Sequence, residues 1–278
     1  MELTKISEAF GKSYLDFKEA NKFQNKTKLY SAYWNRQRPR RYYDFPNENL
    51  IENEDSKTFI NVPKINIIPD VTLQQAINNR RTYTFNDFKY DWTKEELYTF
   101  LNLSSGITGE KEYFSFNSQK EKVYHIHKLR AYPSGGGLYP IEMYMYIKGI
   151  SGIEEGLYLF NPTKSRLIKI DNKKNINELE TLLPMTAVKI DPLNSSLDKT
   201  NIIMFLVSNY KYSSYKYGLL AYKLAILEAG HLGQNIQLAA TALNKKTIAL
   251  CGYYDDKVEK FLKIDGQERV CLYAFTLG

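Results

Sequence analysis

Residues 130–147 read RAYPSGGGLYPIEMYMYI, and the second half of that run decides the fold. Ile141, Met143, Met145 and Ile147 alternate with Glu142, Tyr144, Tyr146 and Lys148. Strict alternation over this length predicts a half-buried β-strand, one face apolar and the other polar. Three glycines in front of it cannot strengthen a strand. They predict a loop whose backbone approaches something closely, because glycine alone presents amide N–H groups without a Cβ in the way. A plain flexible hairpin would use the same residues, so the loop's role depends on what surrounds it.

Working outward, the strand falls inside a pattern of mixed elements. Thr72 and Gln75 form a candidate capping box for a helix over about 71–79. Thr93 and Glu96 form a second one, with Trp92 placed to staple against Leu97 and Gly106 to end the helix. Residues 121–130 read as a strand entering the glycine loop, and 156–160 and 166–170 flank Asn161-Pro162-Thr163-Lys164 as a hairpin. Residues 176–183 read as a short helix before Pro184, and 201–208 as a central apolar strand. The longest helical pattern covers about 219–243 and has few wholly polar turns, which predicts a buried helix. Its small residues Ala229, Gly230, Gly233, Ala239 and Ala240 admit a second backbone or a flat ring. A strand over 247–251, a helix capped by Asp256 and Glu259, and a strand over 270–276 close the chain. Residues 1–66 lack sustained periodicity and are rich in Lys, Asn, Arg and Tyr. They read as an extended arm over a folded body that spans 67–278.

Composition excludes several classes. A chain of 278 residues with 43% hydrophobic and 25% charged residues can bury a core and has ordinary globular usage. The net charge of +7 is spread out, which gives little support to nucleic-acid binding. Cys251 and Cys271 are the only cysteines and form no CxxC, so neither a disulfide framework nor a zinc site is expected. His125 and His127 share one face of a strand, but His231 is the only other histidine and no acidic cluster joins them. No metal is expected. The longest apolar run, 202–207, is too short to span a bilayer, and the N-terminus has no signal-peptide core. A cytoplasmic protein without membrane segments is the expectation.

Two clusters carry chemistry. Arg80-Arg81-Thr82 and Thr84 place two guanidinium groups and two hydroxyls within five residues, a donor set that suits a phosphate and equally a solvated surface. Lys216-Tyr217-Gly218 leads into the long helix, and on its own the pair equally reads as a surface lysine beside a core tyrosine.

Taken together, RRTYTF at 80–85, PSGGGLYPIE at 133–142, KYG at 216–218 and EAGHLGQN at 228–235 resemble the SagB/ThcOx-type (McbC-like) azoline dehydrogenases of the FMN-dependent nitroreductase-like superfamily. The resemblance covers about 72–278. It implies an α+β fold, an α-β-α sandwich around a mixed, mainly antiparallel sheet, assembled as an intertwined homodimer with FMN between the subunits. It implies that Arg80, Arg81, Thr82 and Thr84 hold the phosphate and ribityl chain. The loop Ser134, Gly135, Gly136, Gly137 and Leu138 would reach the partner's flavin, and Leu250, Cys251 and Gly252 would line its ring. Lys216 would be the base and Tyr217 would assist proton transfer or orient the ring. The implied substrate is a heterocyclised precursor peptide whose thiazolines or oxazolines become thiazoles or oxazoles. Whether a cyclodehydratase complex is needed stays open. Leu220 and Lys223 stand where such proteins often carry Arg, and Thr84 where a basic residue is common. An NAD(P)H-dependent nitro- or quinone reductase on the same fold, and a peptide-binding scaffold without catalysis, are the alternatives.

Overall fold

The computed structural model describes residues 18–28, 58–64, 69–116, 119, 121–171, 174–184 and 196–278. Most of the expected arm, and residues 67–68 at the start of the expected folded body, lie outside them.

The helices are α1 (Lys18–Lys26), α2 (Leu73–Asn79), α3 (Lys94–Ser105), α4 (Ile176–Glu180), α5 (Tyr210–Tyr217), α6 (Leu220–Ala242) and α7 (Asp255–Leu262). The strands are β1 (Phe59–Asn61), β2 (Ile107–Phe116), β3 (Lys122–Arg130), β4 (Ile141–Ile147), β5 (Gly156–Asn161), β6 (Arg166–Asp171), β7 (Ile202–Asn209), β8 (Thr247–Leu250) and β9 (Arg269–Leu277). Seven strands form one sheet in the order β1-β6-β5-β4-β7-β9-β8. Every pairing described in it is antiparallel. β2 and β3 form a separate two-stranded ribbon.

Both capping boxes at Thr72/Gln75 and Thr93/Glu96 are formed, so α2 and α3 start where their side chains satisfy the first free N–H groups. Trp92 packs edge-on to Phe100, with ring centroids 5.4 Å apart. At α7 the expected cap is absent. Tyr254 holds the N-cap position without a side-chain bond, and Asp255 and Asp256 instead occupy the first turn, where they favour the helix dipole.

The half-buried reading of β4 is corrected, because all seven residues are buried. Met143, Met145 and Ile147 face a core built with α3 and α6 (Leu97, Phe100, Leu232, Ile236), while Tyr144 and Tyr146 face a second core built with α4 and α7 (Leu179, Phe261, Leu262). The alternation survives as a division between two cores. Tyrosine fits the second core because its ring is apolar and its tip needs only one partner. Tyr146 Oη donates to Glu155 and Tyr144 Oη donates to Glu142.

α6 is buried along one face only. Ala225, Ala229, Leu232, Ile236 and Ala240 pack on the sheet, whereas Leu219, Tyr222, Ile226 and Leu227 around the other side are exposed. The small-residue reading holds at Gly233, where a Cβ would lie 2.9 Å from Phe275 and 3.1 Å from Tyr273. At Gly230 the space is open. α1 sits beside the start of α6, with Phe23 edge-on to Tyr222 at 5.0 Å.

Gly233→Val forces two ring side chains of β9 away from the helix, and overpacking of this kind costs about 1–3 kcal/mol. Urea unfolding should show stability falling by that amount, read as a lower midpoint with the slope unchanged.

Candidate active site

Asn209 ends β7 and its side chain accepts from the Lys211 N–H at 3.3 Å, which starts α5 directly from the sheet. α5 runs two turns and ends at Gly218, whose φ of +54° breaks the helix before α6 begins. Lys216 and Tyr217 therefore sit on the last turn of a short helix pinned at both ends, not on the loose lead-in that the sequence suggests.

Opposite them lies the loop after β3. Gly136 and Gly137 both adopt φ of +66°, a left-handed pair that only glycine takes without strain. A Cβ on Gly136 would collide with the Tyr217 hydroxyl and lie 2.8 Å from Lys216 Nζ. The amine and phenol thus rest on bare backbone, and the missing Cβ is the reason they fit. A Cβ on Gly137 would strike His127, whose ring stacks on Tyr139 at 6.1 Å. Gly135 packs on the Leu224 side chain of α6. Leu138 ends the turn, half-buried.

Burial pulls the Lys216 amine below the ordinary lysine value and pushes the Tyr217 phenol up. Both shifts follow from desolvation, which disfavours the charged form. The lysine shift is the direction a general base requires.

The loop's own hydroxyl is engaged. Ser134 Oγ donates to Glu228 Oε2 and accepts from the Tyr139 N–H at 2.8 Å. Glu228 lies on the buried face of α6 with 2% of its surface exposed. Burial raises its carboxyl to about 7, against the opposing effects of the Ser134 hydrogen bond and the Arg130 charge. Glu228 and His127 are contacts of this site that the sequence reading quoted but did not assign. Glu228 carries one visible signal, a lone carboxylate on an otherwise apolar helical face.

The second cluster forms a strip beside β8, with the Tyr83 N–H donating to Thr247 O at 3.4 Å. Arg80 is half-buried and its guanidinium donates to Gln237 Oε1 on α6 at 3.1 Å. Arg81 is exposed and folds back onto the carbonyls of Asn78 and Arg80, at 2.6 and 2.8 Å. Thr82 is exposed. Thr84 donates its hydroxyl proton to Asp87 at 2.9 Å, so it has no proton left for a phosphate oxygen. Lys246 adds a cation next to this strip, its Nζ on the Asp87 carbonyl at 2.8 Å. At the far end of β8, Leu250 is buried in the second core while Cys251 and Gly252 are exposed.

The structure does not bring the two clusters together within one chain. Leu224, under the glycine loop, and Gln237, under Arg80, are 13 residues apart on α6. At 1.5 Å per residue that is ~20 Å.

Among the described residues no group of three or more His, Cys, Asp or Glu could hold a metal, and no helix is long and apolar enough to cross a membrane.

Residues 79–278 match the model of the nitroreductase family. The chain belongs to the nitroreductase family. Relatives within reach of sequence comparison include a protein of Methanocaldococcus jannaschii named as a nitroreductase, 27% identical over 173 residues, which are 62% of this chain and 75% of that one. The microcin B17-processing protein McbC of Escherichia coli is 25% identical over 140 residues, 49% of this chain and 49% of that protein, so the match spans about half of McbC. Among solved structures, a chain of the E. coli microcin synthetase McbBCD complex with truncated pro-MccB17 bound superposes with a TM-score of 0.57 and 18% identity. That match covers 93% of this chain and 91% of the other, and it speaks to the shared nitroreductase fold.

The raised Glu228 carboxyl has a consequence for stability. A folded-state value near 7 against 4.5 when unfolded means that the folded protein holds this proton more tightly. Its stabilising contribution is full below about pH 4.5 and is lost as pH rises through 7, a swing of about 3 kcal/mol. Urea unfolding near pH 5 and near pH 8 should show wild type losing about that much more stability than Glu228→Gln.

Proposed function

We propose that this nitroreductase-family chain is an FMN-dependent dehydrogenase that oxidises thiazoline or oxazoline rings of a ribosomally made peptide to the aromatic azoles. The observation that carries the reading is Lys216 and Tyr217 held together on the bare backbone of Gly136. A reductase fed by a nicotinamide donor has no need of an amine base there. The sequence similarity to McbC, whose name records a role in microcin B17 processing, agrees with a peptide substrate.

An azoline becomes an azole by losing two hydrogens, one as a proton and one as a hydride. FMN, when bound, supplies the acceptor for the hydride. Lys216 Nζ takes the proton from the ring α-carbon, and its lowered pKa keeps a larger share of the amine neutral for that task. The Tyr217 phenol, with its pKa raised, stays protonated and can donate a hydrogen bond to the ring heteroatom or nitrogen. Arg80, Arg81 and the neighbouring Lys246 supply the cationic donors that a phosphate dianion needs. Thr82 adds a hydroxyl, and Thr84 contributes backbone shape more than a donated proton. The amides of 135–138 would lie along the flavin's electron-rich edge, with Leu250, Cys251 and Gly252 beside the ring.

The ~20 Å between strip and dyad supports a shared site in a homodimer. Two α6 helices packed antiparallel about Gly230, with Leu219, Tyr222, Ile226 and Leu227 of each against the C-terminal half of the other, would set the strip of one copy beside the glycine loop of the other. Gly230 lies at the middle of that exposed face with nothing within 4 Å, which permits close approach. In this arrangement residues 67–278 form the flavin domain, with β1 of the arm paired to β6 at the edge of its sheet and α1 against α6, and the arm would engage peptide or a cyclodehydratase partner.

Purified protein should be yellow, and Lys216→Ala should keep the flavin spectrum while losing at least about 100-fold in azoline oxidation. Turnover of NADPH with a nitroarene exceeding peptide oxidation would instead favour the reductase reading, in keeping with the M. jannaschii relative's name. A colourless protein that FMN cannot reconstitute would defeat both.

Ile226→Glu puts a charge into the proposed dimer contact. Light scattering should report a monomer, and FMN titration should show affinity lowered about 10-fold or more, because each half-site then lacks its complement.

A further inference from the structure

We propose that Glu228 is the positioning residue of the Lys216–Tyr217 pair. Through Ser134 it fixes the loop that packs beneath them, and it does so as a hydrogen-bond acceptor whose negative charge is not required. The inference rests on reading that pair as the working groups.

Four contacts close residues 134–139 on themselves and onto α6. Ser134 Oγ bridges the Tyr139 N–H and the Glu228 carboxylate, the Gly137 N–H donates to Ser134 O at 3.0 Å, and Gly135 rests on Leu224. Leu224 and Glu228 are i and i+4 on one helix, so a single face of α6 supports the start of the glycine turn, and Ser134 ties the far end to it through the Tyr139 N–H. Between those supports stand two successive left-handed glycines, a conformation with no regular hydrogen-bond ladder of its own. Gly136, the first of them, touches both Tyr217 and Lys216. Releasing Ser134 therefore frees the surface on which amine and phenol sit.

A carboxyl is a costly residue for this task. Its neighbours on the buried face are Ala221, Ala225, Ala229 and Leu232, and its second oxygen, also buried, has no well-formed hydrogen bond. The groups that face it are the backbone N–H of Ile141, Arg130 of β3, whose guanidinium donates to Tyr132 Oη at 3.1 Å, and the Tyr132 phenol. With its pKa near 7, the carboxyl is protonated about half the time at neutral pH, and an oxygen remains available to accept from Ser134 in either state.

The test follows trace acetylation of Lys216 by acetic anhydride across a pH series, on the full chain without peptide, read by peptide mass spectrometry against exposed Lys260. The wild-type Lys216 midpoint should lie below the ordinary lysine value. Ser134→Ala and Glu228→Ala should each raise it by a similar amount as water reaches the amine. Glu228→Gln should leave it in place, and the double variant Ser134→Ala/Glu228→Ala should go no further than either single change, because both act through one bond. Should Glu228→Ala fail to fold, Ser134→Ala and Glu228→Gln still decide. An unmoved midpoint in Ser134→Ala, or a Glu228→Gln midpoint as high as that of Ser134→Ala, overturns the proposal. The readout needs neither flavin nor azoline. A coupled midpoint in a protein without azoline oxidation would sink the functional reading and leave the positioning role standing.

Discussion

A carboxyl buried under the long helix accepts a hydrogen bond from the serine that opens the glycine loop, and the candidate site depends on that contact. Loops of consecutive glycines lose much conformational entropy when ordered and make few side-chain contacts in return. Ser134 compensates by bonding in two directions, inward to Glu228 and across to the Tyr139 amide. The result is a flat piece of backbone in a defined place, against which Lys216 and Tyr217 can lie without an intervening Cβ.

A second buried carboxylate performs the same service for the other partner. Glu142, the second residue of β4, accepts from Asn209 Nδ2 at 2.8 Å, while Arg269 of β9 approaches its other oxygen at 3.2 Å. Asn209 is also the cap of α5. The strand that leaves the glycine loop therefore holds the root of the helix that carries the amine. Such a carboxylate is tolerable inside the protein only because it is paired and hydrogen-bonded, and removing one partner would strand the other. Burial raises its pKa, with the Asn209 bond and Arg269 opposing. Loop and helix are thus registered against one another through β4, two residues apart from the loop's end.

Much of this was legible in sequence, and the failures have physical causes. The capping boxes at Thr72 and Thr93 were readable because reciprocal side-chain bonds leave a fixed spacing. β4 was readable as a strand but not as a central one, since tyrosine counts as polar in an alternation and apolar in a core. β2 escaped notice because Gly109-Glu110-Lys111-Glu112 shows no apolar face, and a protruding ribbon needs none. α5 escaped notice for the opposite reason. YKYSSYKY has weak helical propensity and little periodicity, and its start is set by tertiary pinning at Asn209. In the site, residue types pointed to Lys216, Tyr217 and the glycines. Hydrogen-bond commitments could not be read, so Thr84 looked like a free donor although Asp87 takes its proton, and the Ser134 bond to Glu228 went unseen.

The geometry of α6 links these observations to assembly. A helix that merely covered a sheet would bury one stripe and expose charge on the other side. This one exposes Leu219, Tyr222, Ile226 and Leu227 instead. Apolar surface of that extent on a helix whose two ends carry different halves of a site has an economical explanation. If the halves belonged to one ligand in one chain, the ligand would have to span ~20 Å along the helix. If a second copy runs antiparallel to the first, each end of α6 meets the opposite end of its counterpart, and the span shortens to the width of a helix contact, about 8–10 Å. Burial of the exposed stripe would then drive the same association that completes the site, so that stability of the assembly and competence of the site follow from one surface.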